Sequence, residues 1–594
     1  MSSVRTRRMP RSIATLGVLV CSALVAPPPA LAVHGGDREV TVDSNDSFFS
    51  RNKQNEPAVA VDANRPNVLA AGANDNIDME LCNAGDDTTC PFTPDVGGTG
   101  ISFSFDSGDS WRQPTYTGIT ARHCVGVPGN ADPPCEPQQG PIGTLPRYDE
   151  VGLVSDGDPA LAFGPRPGPG GFSWDNGSRL YVANLASTVS ASFGEPGFKG
   201  FEAIAVSRTD DPEAAAAGDE SAWRQPVIVS KQSSATFADK EQIWADNAAS
   251  SRFFGNVYVC YASFRGGGAA PVVVARSTDG GDSWSTRQIS PASNVSPKNF
   301  GRSGCTVRTD STGIVYVFFE LFQSPARFLP PIGTQFMVRS LDGGRTFERP
   351  EALFRVTDPC FFVDPVIDRC VEDGVAGARS DLAAAPSVDI ANGAPTGEGA
   401  SDLIVDAWAD GRDGLNDEHV MFSWSRELGA PGSWSAPQPI EDAGDRGLYA
   451  APALSPDGSD VYVVYNAFTT PFRSTTATPR SLVGVVKHAD FGATGGPGAF
   501  TRLHRGTAGD PRGSSQNDLQ AEFLGDYVYA VATRDYGAAV WNDVRFAADC
   551  PAIDAYRQGL RDGTDVPVPA PQQQCPSTFG NSDIFGGSWA DPTP

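Results

Sequence analysis

The chain contains the octapeptide Ser277-Thr278-Asp279-Gly280-Gly281-Asp282-Ser283-Trp284, and the same spacing occurs twice more. The other copies are Ser104-Phe105-Asp106-Ser107-Gly108-Asp109-Ser110-Trp111 and Ser340-Leu341-Asp342-Gly343-Gly344-Arg345-Thr346-Phe347. All three follow the pattern Ser-x-Asp-x-Gly-x-x-aromatic. The aspartate can accept hydrogen bonds from turn backbone, and the glycine can take the positive φ of a tight turn. Because β-like runs flank the copies, the pattern predicts a hairpin between two strands, with the aromatic ring packed beside it.

The length of the chain alone would suggest several separate domains. The repeats instead predict one all-β propeller, because a unit that recurs along the chain is stronger evidence than length. From about residue 54 the chain cycles through units of four strands that are rich in Val and Tyr. Seven units are recognised, and six blades remain the alternative. The seventh unit is one strand short, and residues 38–42 can supply that strand and close the ring between the two chain ends.

The octapeptides resemble the Asp-box, or BNR repeat, of the sialidase superfamily of β-propellers. The resemblance covers nearly all of the chain after residue 32. It implies a glycoside hydrolase that acts on acidic sugars at the central pocket, on the face away from the boxes. The alternative is a non-catalytic propeller that binds a glycan or a protein through the same face.

The resemblance also implies catalytic residues. Sialidases use a tyrosine nucleophile assisted by a glutamate, with an aspartate as general acid/base. The matching positions give Tyr527 as nucleophile, Glu522 or Asp526 as its partner, and Asp75 or Asp78 as acid/base. The family opens its first blade with Arg-Ile-Pro, where this chain has Asn55-Glu56-Pro57. The missing arginine favours the binding alternative.

Three arginines end the second strands of different blades in matching positions: Arg265, Arg412 and Arg545. Guanidinium groups bind carboxylates bidentately, so this set can hold an acidic sugar. The alternative is that Asp410–Arg412 and Asp543–Arg545 are local ion pairs that fix each loop.

Structural roles are open for the other candidates as well. The acidic loop with Asp75 and Asp78 can be solvated surface, and Tyr527 can pack in the core. The oxygen-rich run 74–80 can also hold a structural calcium ion, although it lacks EF-hand spacing. No other cofactor is expected, since the five histidines are scattered and Cys-x-x-Cys is absent.

Residues 1–32 are predicted to be a secretory signal peptide, and residues 33–594 a single propeller domain. Arginines precede the apolar run 13–25, and Ala30-Leu31-Ala32 offers a cleavage site. No later run approaches the length of a membrane span, so no anchor is expected. The sequence therefore predicts a secreted, extracellular protein of undetermined oligomeric state.

Ten of the eleven cysteines lie after the predicted signal peptide, and their even number supports export. They are spaced as local pairs, and neighbour pairing is the simplest connectivity, although sequence alone does not determine it. Four of the five bridges would then staple one loop each, and each bridge contributes roughly 2–4 kcal/mol. The pairs are Cys82/Cys90, Cys124/Cys135, Cys260/Cys305, Cys360/Cys370 and Cys550/Cys575.

Net charge excludes some partners. Removal of the predicted signal peptide, which contains four arginines, changes the formal net charge from −26 to −30. Such an acidic chain argues against nucleic acid and anionic membranes as partners. A carbohydrate or glycoconjugate is the expected partner.

Overall fold

Seven β-sheets follow one another along the chain, and each forms one blade of a propeller. The computed structural model describes residues 1–2, 35–44, 46–82, 90, 92–125, 135–265, 270–292, 301–322, 331–373, 378–379 and 381–593. The predicted all-β propeller is confirmed with seven blades, and the six-bladed alternative is wrong. Apart from residues 1–2, the predicted signal peptide lies outside the described residues. None of the helices in the described ranges is long and apolar enough to cross a membrane.

Blades 1 to 3 are antiparallel, and the first strand of each blade faces the central axis. The chain first forms β1 (Asp37–Glu39), which belongs to the last blade. Blade 1 contains β2 (Gln54–Val61), β3 (Leu69–Asp75) and β4 (Thr99–Ser104). The small sheet that follows contains β5 (Tyr116–Thr120) and β6 (Gln138–Ile142). Blade 2 contains β7 (Leu153–Gly168), β8 (Gly171–Thr188), β9 (Ala203–Thr209) and β10 (Trp223–Ile228). Blade 3 contains β11 (Thr236–Ala245), β12 (Val257–Arg265), β13 (Val272–Ser277) and β14 (Ser285–Gln288).

Blades 4 to 6 repeat the same order. Blade 4 contains β15 (Gly301–Thr309), β16 (Val315–Phe322), β17 (Ile332–Ser340) and β18 (Glu351–Thr357). A two-stranded ribbon of β19 (Val363–Asp364) and β20 (Arg369–Cys370) follows. Blade 5 contains β21 (Ser387–Ile390), β22 (Ile404–Asp410), β23 (His419–Ser425) and β24 (Gln438–Pro439). Blade 6 contains β25 (Arg446–Leu454), β26 (Asp460–Phe468), β27 (Leu482–Asp490) and β28 (Thr501–Arg505).

Blade 7 joins the two ends of the chain. It contains β29 (Tyr529–Ala532), β30 (Tyr536–Asp543) and β31 (Asp583–Ala590), with β1 as its outermost strand. Strands β1 and β31 are antiparallel, with Glu39 opposite Phe585. The predicted closure by the N-terminal strand is confirmed, and it leaves no gap between first and last blades.

Each blade packs between two neighbours, so its strands are buried on both sides. In β12, Val257, Val259 and Tyr261 pack in a cluster with blade 2. The alternate residues Tyr258 and Cys260 pack with blade 4. This explains why the second strands are continuous runs of Val and Tyr instead of alternating with polar residues.

Helices occur between and within the blades. They are α1 (Pro212–Ala216), α2 (Pro551–Asp562) and α3 (Pro571–Gln574). Single 3₁₀ turns lie at Asp149–Val151, Glu220–Ala222 and Pro511–Gly513. The segment 546–580, which the sequence predicts to be a disulfide-stapled loop, thus contains two helices.

The ten cysteines pair with their sequence neighbours, as the spacing predicts. The bridges are Cys82–Cys90, Cys124–Cys135, Cys260–Cys305, Cys360–Cys370 and Cys550–Cys575. Four of them join residues 8 to 25 positions apart, so each closes one local segment. The fifth, Cys260–Cys305, links blades 3 and 4.

The expectation that four bridges each staple one loop is confirmed, and two of these bridges also meet in one hydrophobic cluster. Cys90 is 2% exposed and lies in one hydrophobic cluster with Cys82 and Cys550, and the partly buried Cys575 packs against that cluster. Gln572 Nε2, three residues before Cys575, donates to the backbone oxygen of Cys82 at 2.9 Å. The bridges Cys82–Cys90 and Cys550–Cys575 therefore stabilise a common core between segments that are nearly 500 residues apart.

Each octapeptide forms a turn with the same hydrogen bonds. In the copy of blade 3, Gly281 N donates to Ser277 Oγ at 2.8 Å, and Ser283 N donates to Asp279 Oδ1 at 3.0 Å. The other two copies repeat both bonds within 0.1 Å. We call the end of the propeller that carries these turns the hairpin face. The opposite end, where the innermost strands begin, is the pocket face.

Candidate functional site

The innermost strands of blades 1 to 3 carry a matching irregularity near the pocket face. Glu56, Asp158 and Lys240 all have a positive φ, between 51° and 59°. At each of them the register against the second strand shifts, as in a β-bulge. A left-handed conformation costs a non-glycine residue on the order of 1–2 kcal/mol. The surroundings therefore hold these three charged residues in place, and their side chains converge at the centre.

An ion cluster joins four blades at this point. Lys240 Nζ lies 2.7 Å from Asp526 Oδ2 and 3.0 Å from Asp158 Oδ2. Arg379, from the connection between blades 4 and 5, lies 3.6 Å from Asp526 Oδ2. Asn74 Nδ2 donates to Glu56 Oε2 at 2.6 Å, which brings Glu56 into the same network. The cluster ties the first three blades to the last one.

A cavity of about 70 Å³ opens beside this cluster on the pocket face. Its polar walls are formed by Lys240, Glu241, Tyr449, Asp526, Tyr527 and Tyr529. Glu241 is only 7% exposed, and within the described part of the chain neither of its carboxyl oxygens has a hydrogen-bond partner. The same is true of Asp526 Oδ1, while Asp526 Oδ2 binds Lys240. The cavity therefore has two carboxyl groups with free oxygens.

The surroundings shift the pKa values of these two carboxyl groups in opposite directions. Burial raises the pKa of Glu241 well above its ordinary value, and nearby Asp158 and Asp239 raise it further. Burial also acts to raise the pKa of Asp526, but Lys240 and Arg379 outweigh it, so this pKa is lowered. The shifts favour the protonated form of Glu241 and the ionised form of Asp526. Two carboxyl groups whose environments push their pKa values apart are the usual pattern of an acid/base pair.

Tyrosines complete the cavity. Burial raises the pKa of Tyr527 well above 10, and Asp158 and Glu56 add to the effect, so its phenol stays neutral. Its ring stands edge-on to Tyr529, with centroids 5.8 Å apart. Tyr449 OH donates to the backbone oxygen of Arg379 at 2.8 Å. The cavity thus offers neutral hydroxyls beside a charged pair.

Of the five catalytic residues assigned by resemblance, Tyr527 and Asp526 share the cavity. Glu522 is buried beside Asp373, whose carboxyl raises the pKa of Glu522 together with burial, the larger effect. It does not line the cavity. Although Glu522 lies close to Tyr527 in the sequence, only Tyr527 lines the cavity.

Asp75 and Asp78 hold the first blade together. Asp75 accepts hydrogen bonds from Gln54 Nε2 at 3.0 Å and Gln113 Nε2 at 2.7 Å. Asp78 accepts from Arg122 Nε at 2.7 Å and Thr144 Oγ1 at 2.8 Å. Their oxygens are therefore engaged by donors of the protein, and neither residue lines the cavity. The same donors compete with any calcium ion for these two ligands.

The three predicted arginines bind acceptors of their own blades. Arg412 pairs with Asp410 at 2.6 Å, the local ion pair of the alternative interpretation. Arg545 pairs with Asp543 and with Asp37 of β1, both at 2.7 Å. Arg265 Nη1 donates to Gln288 Oε1 at 3.0 Å. An acidic sugar would have to compete with these acceptors.

The disulfides differ in their distance from the cavity. Cys305 contributes to its wall, where the bridge to Cys260 fixes the start of blade 4. Cys90 and Cys575 do not line the cavity, because both belong to the hydrophobic cluster around α2. Their role is structural, and they take no part in the site.

Sequence reasoning missed Glu241, Lys240 and Arg379. One signal was present: Glu56-Pro57-Ala58 and Asp158-Pro159-Ala160 both place an acid before the first-strand Pro-Ala, and both acids lie at the bulge. Blade 3 has Lys240-Glu241-Gln242 at the same place, without proline, so the repeat was hidden.

Comparison with known proteins finds similarity at the level of structure only. No family model matches the chain, and no curated protein does. The Hadza microbial sialidase Hz136 is 14% identical with a TM-score of 0.38, covering 69% of this chain and 63% of that one. The chain thus spans less than two thirds of that sialidase.

Two further solved structures are similar to this degree. An intramolecular trans-sialidase from Ruminococcus gnavus is 12% identical with a TM-score of 0.39, covering 73% of this chain and 94% of its own. A polysaccharide lyase, described as an ulvan lyase, is 9% identical with a TM-score of 0.37, covering 84% of this chain and 93% of its own. Several of the similar structures are sialidases, the superfamily that the octapeptides resemble. At such values no residue role is taken from these proteins.

Proposed function

We propose that this protein is an exported, carbohydrate-active propeller that hydrolyses a glycosidic bond at the cavity of the pocket face. The observation that carries the proposal is the pair of Glu241 and Asp526, which line one cavity with their pKa values shifted in opposite directions. In this proposal residues 1–32 direct export and are then removed, which places the enzyme outside the cell. The five disulfides agree with that location.

Each side chain of the cavity has a role in this reaction. Glu241 gives its proton to the leaving glycosidic oxygen, because burial keeps it neutral until that proton is needed. Asp526 stays ionised and attacks the sugar carbon as its bond to the leaving oxygen breaks; a water molecule, deprotonated by Glu241, then displaces Asp526 and releases the sugar. Lys240 and Arg379 keep Asp526 ionised. Tyr527 binds the sugar through its neutral hydroxyl.

Charge favours an uncharged sugar over an acidic one at this cavity. Lys240 lines the cavity and Arg379 does not, and both cations already face Asp526. A ligand carboxylate would lie beside Asp526 and compete with it for the same cations. At about 70 Å³ the cavity is also smaller than the roughly 300–1,000 Å³ of most ligand sites, so it receives the reacting bond while the sugar chain lies across its mouth.

The first test is hydrolysis of fluorogenic glycosides, neutral and acidic, by the purified mature protein. We expect turnover of a neutral glycoside, and a loss of roughly 10²-fold or more in kcat in Asp526→Asn, in line with the effect of positioned catalytic groups. Tyr527→Phe tests the nucleophile role that the resemblance implies: a nucleophile loses all turnover, a sugar-binding hydroxyl raises KM. Tyr181→Phe, the same change in the buried core of blade 2, is the matched control.

The burial of Glu56 and Asp158 supports a second function, a non-catalytic propeller. In this alternative the ion cluster only joins the blades, and the pocket face binds a glycan or protein. Absence of turnover on every glycoside, with a folded protein that retains glycans on an array, would replace the first proposal by this one.

A further inference from the structure

Four metal-ligating side chains converge on the hairpin face, away from the cavity. They are Asp460, His488, Asp490 and Asp591, and one ligand atom of each lies within 4.8 Å of the other three. His488 is only 2% exposed, and its Nε2 is directed at the three carboxylates. Nε2 lies 3.0 Å from Asp460 Oδ1, 3.8 Å from Asp490 Oδ1 and 4.0 Å from Asp591 Oδ1.

Strand register brings the first three residues together. In blade 6 Asp460 pairs directly with Asp490, and Tyr462 pairs with His488. Since residues two apart share a face of a strand, Asp460, His488 and Asp490 lie on the same side of the blade. Asp591 follows β31 and comes from blade 7. The cluster therefore lies where blades 6 and 7 meet.

The hydrogen bond of His488 Nε2 accounts for only one of the three carboxylates around it. A protonated Nε2 donates one hydrogen, and Asp460 at 3.0 Å takes it. Asp490 and Asp591 are beyond hydrogen-bond range of the same nitrogen, yet each has an oxygen turned toward it. Three carboxylates thus surround one imidazole nitrogen, and the cluster has more negative charge than His488 can neutralise.

The spacing matches a tetrahedral metal site. Bonds of about 2.0–2.2 Å from zinc to imidazole nitrogen and carboxylate oxygen separate two ligand atoms by roughly 3.4 Å. The three measured separations from Nε2, 3.0 to 4.0 Å, fall on both sides of this value.

Neighbouring groups also orient the carboxylates, as the surroundings of metal ligands commonly do. Thr593 N donates to Asp591 Oδ1 at 2.8 Å, and Thr593 Oγ1 lies within hydrogen-bond distance of Asp490 Oδ1 and Asp591 Oδ1, the oxygens that face Nε2. Ser459 Oγ donates to the second oxygen of Asp460, Oδ2, which leaves Oδ1 directed at His488.

We propose that Asp460, His488, Asp490 and Asp591 bind one divalent transition-metal ion, of which Zn²⁺ is the representative. One imidazole and three carboxylates suit such an ion better than calcium, which takes oxygen ligands only. The ion fastens the segment after β31 to blade 6 and stabilises the contact of blades 6 and 7. Its role is structural and independent of the reaction at the pocket face.

The test is titration of the EDTA-treated mature protein with Zn²⁺ by calorimetry, and with Co²⁺ by visible absorption. We expect one equivalent to bind, the intense absorption of tetrahedral Co²⁺, and a higher melting temperature with Zn²⁺. His488→Ala is expected to abolish binding. Asp490→Asn, at an exposed side chain, and Asp591→Asn, which keeps the size of a partly buried one, are each expected to weaken it at least 10-fold.

His419 provides the matched control. It is also flanked by two carboxylates, but each of its nitrogens has its own acceptor, Glu441 and Asp413, both at 2.7 Å. His419→Ala is therefore expected to leave metal binding unchanged. The proposal is overturned if the wild-type protein binds no Zn²⁺ at micromolar concentration. It is equally overturned if Asp490→Asn and Asp591→Asn bind like the wild type.

Discussion

At the scale of single residues, the cavity depends on how burial and charge act on similar carboxyl groups. Among the described residues no cation contacts Glu241, which stays protonated, whereas Asp526 faces Lys240 and Arg379 and stays ionised. For Lys240, burial disfavours the charge, but Asp158, Asp239 and Asp526 outweigh it and raise its pKa. The side chains that surround each group, and not its residue type, decide its charge.

This difference predicts a bell-shaped dependence of kcat/KM on pH. Glu241 must be protonated, so activity falls as pH rises through its raised pKa. Asp526 must be ionised, so activity falls only as pH drops through its lowered pKa. The measurement is kcat/KM on a neutral glycoside from pH 3 to pH 9, where stability permits.

The control is Glu241→Gln, which is expected to abolish the decline at high pH while the decline at low pH remains. A high-pH decline that persists unchanged in Glu241→Gln would show that another group is titrating.

The resemblance to sialidases singled out Asp526 and Tyr527, and both line the cavity, directly before the innermost strand of the last blade. The sequence did not identify Glu241, because nothing local distinguishes this glutamate from the acidic residues around it. Its role arises from contacts with residues of blade 7 that lie nearly 290 positions further along the chain. Asp75 and Asp78 show the reverse case, since their loop looked exposed and is buried by donors from distant segments.

At the scale of elements, the octapeptide turns were predictable because the hydrogen bonds of their repeated serine and aspartate are local. Asp279 accepts from Ser277 Oγ, Asp282 N and Ser283 N, all within four residues. Helix α2 was missed, although its signals were present. Pro551 occupies the first turn, and Gly563 ends the helix with a φ of 67°. The nearby cysteines and prolines had suggested a loop.

The cysteines show the same limit of local reasoning. Short spacing predicted that Cys82 pairs with Cys90 and Cys550 with Cys575, because neighbouring residues meet easily. It did not predict that the two bridges meet in one hydrophobic cluster. That contact depends on how the ends of the chain come together in the closed ring.

Asp279→Ala is expected to lower the free energy of unfolding by roughly 1.5–3 kcal/mol, because it removes a charged acceptor from several turn donors. Thr278→Ala in the same turn is the control. Thr278 is exposed, and substitutions at such surface positions usually change stability by at most about 0.5 kcal/mol. Denaturant midpoints of both variants, measured with disulfides intact, test the difference. Equal midpoints would contradict a structural role for the aspartate of the pattern.

At the scale of the whole molecule, the pairing of the chain ends and the ion cluster at the axis both hold the ring of blades together. Strand β1 completes blade 7, and Asp37 of β1 binds Arg545 from the end of β30. The ion cluster connects blades 1, 2, 3 and 7 around the axis. The closed ring therefore brings Glu241 of blade 3 and Asp526 of blade 7 to the wall of one cavity. The sequence predicted the ring and its closure from strand count, but the convergence at the axis depends on all seven blades at once.

The measurement that tests the proposed reaction most directly compares two leaving groups in Glu241→Gln. A general acid matters for a poor leaving group, such as an alcohol or another sugar, and matters little for an acidic phenol that departs without a proton. We predict that kcat/KM falls roughly 10²-fold or more for the alcohol glycoside and only slightly for the nitrophenyl glycoside. An equal loss on both substrates, or none on either, would contradict the assignment of Glu241 as the acid of this cavity.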